Sequence, residues 1–139
     1  MRLPAYPLVT IDPYMSIWSM TDNLYDSDTV LWCGIKKRIT GHITIDGEKF
    51  RFIGKSKYPA VKQTSVYVMP LITEYIFKIK DVEFSAEFYT PLFLDDLYLL
   101  SSPCSFVEYK ILKSKTNHDI KIEISLNEEF CYDRTEKII

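Results

Sequence analysis

Apolar and polar residues alternate along most of this chain, and the alternation has a period of two, not 3.6. The clearest case is "HITIDGEKFRF", His42 to Phe52. Asp46-Gly47 is a two-residue hairpin signal, because a type I′ turn needs positive φ at both central positions. The register then sets Ile45 against Glu48, Ile43 against Phe50 and Gly41 against Phe52. Ile43, Ile45, Phe50 and Phe52 share one face, and His42, Thr44, Lys49 and Arg51 share the other, so one side is core and the other wet. A second hairpin is expected in "TEYIFKIKDVEFSAEF", turning at Lys80-Asp81. It pairs Ile79 with Val82, Phe77 with Phe84 and Tyr75 with Ala86, and sets Lys78 against Glu83 as a favourable cross-strand pair. Glu74 would meet Glu87, so pairing is expected to stop short of them.

Three further strands follow from "VKQTSVYVMP", "CSFVEYKILK" and "HDIKIEISLN", with the polar "KSKTNHD" as the loop between the last two. Two stretches resist this reading. "LFLDDLYLL" is apolar on both sides of Asp95-Asp96 and fits either a buried crossover or a short helical turn. "IDPYMSIWS", Ile11 to Ser19, is dense in aromatics with neither strand alternation nor a helical stripe. It fits a core plug, a ligand platform or a face meant for another domain. Six or more short strands with frequent turn signals predict an all-β fold, an antiparallel sandwich or barrel with hairpin connections, formed by residues 1–139 as one domain.

Composition narrows the function classes. The chain has 139 residues, 47% hydrophobic and 14% aromatic, which suits a packed domain. Four glycines and no GxGxxG or GxxxxGK[ST] motif give no sign of a nucleotide or other cofactor. Net charge is −2, which supplies no electrostatic reason to bind nucleic acid. No apolar run reaches the roughly 18 residues a membrane helix needs, so no membrane partner is expected. "MRLPAYPLVT" lacks the apolar core of a signal peptide, which suits a cytoplasmic protein or an exported one whose leader has been removed. The three cysteines, Cys33, Cys104 and Cys131, are widely spaced, and free buried thiols are expected. The short Lys36-Lys37-Arg38 run reads as a solvated loop or strand end.

Candidate chemistry is sparse. Adjacent strand residues point to opposite faces, so Asp95 and Asp96 suit a capping role better than a glycosidase pair. Asp22, Asp26 and Asp28 have the carboxylate density of a calcium loop but neither its spacing nor its glycine, and Asx turns account for them. His42 and His118 are the two histidines, one on the wet hairpin face and one in the polar loop. A Cys33–His42 or Cys104–His118 dyad would need an activated thiolate, and no nucleophile motif surrounds either. Tyr6, Tyr14, Tyr25, Trp18 and Trp32 suit a sugar-stacking platform or, more simply, a packed core edge. No catalytic, metal or cofactor residue is assigned.

"RLPAYPLVTIDPYMSIWS" (Arg2 to Ser19) and "DNLYDSDTVLWCG" (Asp22 to Gly34) resemble the start of the glutaminase A family of glutamine amidohydrolases. "GHITIDGEKFRFIG", "PAVKQTSVYVMPLITEYIFKIKDVEFSAEFYTPL" and "DDLYLLSSPCSFVEY" resemble its following blocks in order, so the likeness runs from residue 2 to about 127. Cys33 and Cys104 depart from the small polar and aliphatic residues usual there. The resemblance implies an N-terminal β-sandwich that precedes a large helical toroid, with glutamine hydrolysis belonging to the whole enzyme. On that reading the partner is a helical catalytic domain of the same polypeptide. Tyr14, Trp18, Asp22, Asp26, Asp28 and Trp32 are then expected at the interdomain interface. An isolated module with such a face is prone to artificial dimers. A carbohydrate-binding β-sandwich module is the alternative from a different class, since fold analogy does not separate the two.

Overall fold

A computed structural model describes residues 2–131. Ten strands form three antiparallel sheets: β1 (Tyr6–Asp12), β2 (Met15–Ser19) and β3 (Val30–Leu31); β10 (Ile120–Leu126), β4 (Ile39–Ile45) and β5 (Glu48–Ile53); and β6 (Lys62–Met69), β7 (Ile72–Ile79), β8 (Val82–Tyr89) and β9 (Phe106–Lys113), each sheet in that strand order. The fold is all-β and sandwich-like, as the two-fold periodicity predicts.

The β4–β5 hairpin turns at Asp46-Gly47 with φ of 50° and 86°, and pairs Ile45 with Glu48 and Ile43 with Phe50 as expected. One pair differs: a bulge at Gly41/His42 sets Gly41 opposite Ile53 instead of Phe52. A Cβ on Gly41 would lie 2.9 Å from the Phe52 ring and 2.8 Å from Ile53, so the hydrogen side chain gives those two residues their room. The β7–β8 hairpin keeps the predicted register but does not stop at Glu74. Pairing runs on through Glu74–Glu87 to Ile72–Tyr89. A lysine on the next strand explains this, because the Lys110 ammonium sits 3.4 Å from Glu87 and offsets the repulsion.

The unpatterned "IDPYMSIWS" is also a hairpin, built from two short strands around Pro13-Tyr14. The Asp12 carboxylate accepts from the Tyr14 and Met15 amides at 2.7 and 3.0 Å, an Asx turn that Pro13 presets. Bulges at both ends of the β1–β2 pairing shift the register, which is why the alternation is hard to see in the sequence. "LFLDDLYLL" becomes a short exposed helix, α1 (Leu97–Ser101), not a buried crossover. Asp96 caps it, accepting from the Tyr98 and Leu99 amides at 3.0 Å each.

The four-stranded sheet lays Tyr75, Phe77, Phe84, Ala86 and Phe88 against the other two sheets. Phe52 of β5 meets the rings of Phe77, Phe84 and Tyr109 at 5.6, 5.4 and 5.8 Å, mostly edge to face. Tyr6 of β1 meets Tyr75 at 6.3 Å, and Leu8 and Ile17 join the same cluster. Leu24 and Val61 close the seam from the loops.

Two expectations about polar and reactive residues are corrected. All three cysteines are free but exposed, because Cys33 sits in a turn, Cys104 in coil and Cys131 at the end of a short 3-10 helix (Glu128–Cys131), none of them on a core face. The Lys36-Lys37-Arg38 run is not simply solvated. Lys37 is buried and its ammonium donates to the Glu129 carbonyl at 2.5 Å, while Arg38 grips the Glu129 carboxylate with both ends of its fork. That bond with Arg38 holds the Glu129 carboxyl down to about 2.

Candidate functional site

The aromatic residues of the N-terminal region gather on the first sheet. Trp32 follows β3, where its backbone amide donates to the Ser16 carbonyl at 3.0 Å. Its indole N–H donates to the Pro13 carbonyl at 2.8 Å, which fixes the ring across the β1–β2 turn. Tyr14 occupies that same turn. Trp18, half-buried on β2, donates its indole N–H to the Ser16 hydroxyl at 2.8 Å. Trp32 is 61% exposed and Tyr14 77%, so neither belongs to this domain's own core. Thr10, Asp12, Pro13, Ser16 and Trp32 line an open cleft of about 270 Å³ between them.

The three aspartates named with these rings do not join the patch, and each has a local partner. Asp22 accepts from Arg2 Nε at 3.0 Å and from the Tyr6 hydroxyl at 3.1 Å. Burial, then that bond, pushes the Tyr6 hydroxyl pKa up. Asp26 accepts from the Asn23 amide at 2.8 Å. Asp28 pairs with Lys36 at 3.3 Å and lines a separate cleft of about 300 Å³ with Arg38, Thr40 and Lys55. Among the described residues no group of three His, Cys, Asp or Glu side chains is arranged to hold a metal ion.

His42 lies opposite Arg51, as the hairpin register requires, but its face is half-buried and not fully wet. The loop after β5 covers it: His42 Nε2 meets the Ser56 hydroxyl at 2.9 Å, and Arg51 donates to the Ser56 and Tyr58 carbonyls at 3.2 and 2.5 Å. Burial, then the charge of Lys49, pulls the His42 pKa down and keeps the ring neutral.

The most connected titratable cluster is one that sequence reasoning missed. His118 lies between the turns of two hairpins. Its Nδ1 is 2.5 Å from Asp46, in the β4–β5 turn, and its Nε2 is 2.7 Å from Asp81, in the β7–β8 turn. Asp81 also accepts from the Lys115 and Thr116 amides and the Thr116 hydroxyl, at 3.2, 3.2 and 3.1 Å. Thr116, His118 and Asp46 superficially line up as nucleophile, base and orienting acid, with Thr116 Oγ1 2.8 Å from Nε2. The chemistry does not follow. Asp81 accepts from the threonine hydroxyl and also partners Nε2, so that nitrogen is engaged by a carboxylate and is not left free to take the Thr116 proton. The two flanking carboxylates favour the protonated ring, which donates to both and has no lone pair to act as a base. The cluster is a clamp that ties two sheets together through a loop.

Its pH dependence has a defined sign. Bonds to Asp46 and Asp81 raise the His118 pKa above its ordinary 6.5, so the clamp's contribution is complete below 6.5 and lost as pH rises through the raised value. Partial burial pushes Asp81 up, but its bonds to His118 and Thr116 outweigh this and bring it from 3.8 to about 2. The carboxylate contribution is therefore present above 3.8 and lost as pH falls toward 2. Thermal melts should show the clamp at full strength between pH 3.8 and 6.5. His118→Gln should remove the fall in melting temperature on the alkaline side of that window. An unchanged pH profile in His118→Gln would show that the clamp does not contribute to stability.

Together these features define an antiparallel β-sandwich module with an exposed aromatic patch on its first sheet. A family model described as a domain of unknown function (DUF4964) matches residues 1–64, a span that contains the whole patch. Among curated proteins, Glutaminase A of Aspergillus oryzae (strain ATCC 42149 / RIB 40) is 27% identical over 141 residues. That alignment takes in 94% of this chain but 20% of the relative, so the chain spans about a fifth of the length of the protein it matches. No solved structure matches.

Proposed function

We propose that this chain is a non-catalytic β-sandwich module of a glutaminase-related protein, and that its aromatic patch seats a helical catalytic domain of the same polypeptide. The observation that carries the reading is the pair Tyr14 and Trp32. Both rings are large and face outward from a domain with its own aromatic core. The Trp32 ring is held by its bond to the Pro13 carbonyl, and the Tyr14 backbone is set by the Asp12 turn. Aromatic residues held rigidly at a surface are typical anchors of interfaces, because little side-chain freedom is left to lose on docking. The likeness to Glutaminase A over nearly the whole chain and a fifth of the relative agrees with a module of a larger enzyme. The reading assigns Tyr14, Trp18 and Trp32 to the interface, and gives Asp22, Asp26 and Asp28 the role of bracing the loop behind it.

Tyr14→Ala with Trp32→Ala should leave the melting temperature of this chain nearly unchanged, within about 0.5 kcal/mol as for exposed positions. In the intact polypeptide the same pair should lower the temperature at which the domains separate and reduce ammonia release from glutamine. This chain alone should release no ammonia. Robust turnover of glutamine by the isolated module would overturn the non-catalytic assignment. Full activity and stability of the doubly substituted intact protein would overturn the interface. Retardation of the isolated module on a polysaccharide gel, lost in the same double variant, would instead assign the patch to sugar binding.

A further inference from the structure

We propose that the free edge of β9 is a docking site for a second copy of this chain, paired strand to strand about a two-fold axis through Tyr109. β9 ends its sheet, and among the described residues no strand pairs with its outer side. An uncovered edge of this kind offers a row of backbone donors and acceptors to any compatible strand. Its side chains suit an interior strand better than an edge: Phe106, Val107, Ile111 and Leu112 are 39–46% exposed, and they lie on both faces.

The occupant follows from the residues themselves. In an antiparallel pairing of β9 with itself, centred on Tyr109, Val107 meets Ile111 and Glu108 meets Lys110, each twice by symmetry. Directly opposed residues share a face. Val107, Tyr109 and Ile111 oppose Phe88, Ala86 and Phe84 of β8, so their side chains lie on the core side, whereas Glu108 and Lys110 lie on the outer side. The register therefore matches apolar to apolar on the inner face and acid to base on the outer face. A bulge opposite Phe84 gives β9 its extra residue at Leu112 and confines the matched pairing to residues 107–111. Lys110, the residue that guards this edge against other strands, lies 3.4 Å from Glu87 and from Glu108 within the chain, and in the dimer it gains the second copy's Glu108. The edge strand β10 is a poorer candidate. Paired along its full length with another β10, it sets Glu123 against Glu123, and Glu123 is already engaged by Lys49 and Lys121. The β9 contact does not involve the Tyr14–Trp32 patch and does not depend on the glutaminase reading.

Analytical ultracentrifugation tests the proposal. The chain should sediment as a concentration-dependent dimer. Glu108→Lys should weaken it about tenfold or more, because two like-charge cross-strand contacts replace two favourable ones. In the monomer the introduced ammonium loses the Lys110 contact but faces Glu87 across the sheet in place of a second carboxylate, and circular dichroism checks that the variant keeps its fold. Lys110→Glu should weaken self-association similarly, with circular dichroism checking its fold. An equimolar mixture of the two variants should dimerise again, because the mixed pair restores both opposite-charge contacts. A wild-type chain that stays monomeric overturns the proposal. So does a Glu108→Lys chain that dimerises as tightly as wild type, or a mixture of folded variants that stays monomeric.

Discussion

Phe52→Ala should cost roughly 3–5 kcal/mol and lower the melting temperature by on the order of 10 °C. The Phe52 ring is fully buried where the β4–β5 hairpin meets the four-stranded sheet, within 5.4–5.8 Å of three other aromatic centroids. Two of those neighbours, Phe77 and Phe84, come from adjacent strands, and the third, Tyr109, from the edge strand beyond. Truncation leaves a cavity bounded by rings attached to strands, and strands cannot close in without breaking their ladders, so collapse is limited. Phe93→Ala is the control. That ring is large but about half exposed in the segment before α1, and its loss should stay within about 0.5 kcal/mol. Chemical denaturation of both variants measures the difference. A Phe52→Ala protein as stable as the Phe93→Ala one would mean that the two sheets do not pack as described.

That central hairpin was also the most legible part of the sequence. Asp46-Gly47 selects its turn, and a one-residue slip would put Ile43 and Ile45 on the opposite face from Phe50 and Phe52, so pattern and turn chemistry agree. The β7–β8 hairpin was legible for the same reason on the strand side, although its turn uses Lys80, a non-glycine residue at φ 53°. There the aspartate that follows anchors the turn through Thr116 and His118, contacts made by residues some 35 positions away that local sequence cannot encode. Continued pairing past Glu74–Glu87 was illegible for a related reason, because it depends on Lys110 arriving from another strand. The β1–β2 hairpin escaped notice because its two bulges scramble the period of two in strands already short.

The candidate surface was partly legible. Aromatic density without alternation in "IDPYMSIWS" left a core plug, a ligand platform and a face for another domain open. Of its rings Tyr14 faces outward and Trp18 is half-buried, while Trp32, from the segment after β3, faces outward across the same turn. The acids beside them carried no such information. Asp22, Asp26 and Asp28 each satisfy a nearby donor, and only the folded structure separates a carboxylate that braces a loop from one that awaits a partner. The His118 clamp had a faint signal, an aspartate in each of two hairpin turns plus a histidine in a polar loop. The separation of 72 positions between Asp46 and His118 hid its meaning.

Gly54→Ala should cost roughly 2–4 kcal/mol. The residue ends β5 with φ of 68°, in the left-handed region, where any side chain costs about 1–2 kcal/mol. Space adds to this. A Cβ there would lie 2.6 Å from the backbone carbonyl oxygen of Ile39, and a backbone atom paired into β4 cannot swing aside as a side-chain tip would. The Gly54 amide also donates to the Leu24 carbonyl at 3.1 Å, so displacement of this residue would pull on the loop behind the aromatic patch. Gly47→Ala separates the two causes. Its φ of 86° is equally left-handed, but a Cβ there meets nothing within 4 Å, so it should cost the conformational penalty alone. The gap between the two variants in urea unfolding measures the clash with Ile39. Equal losses would mean that β4 yields at Ile39, and that the end of β5 is not the fixed support on which the Asp22–Asp28 loop rests.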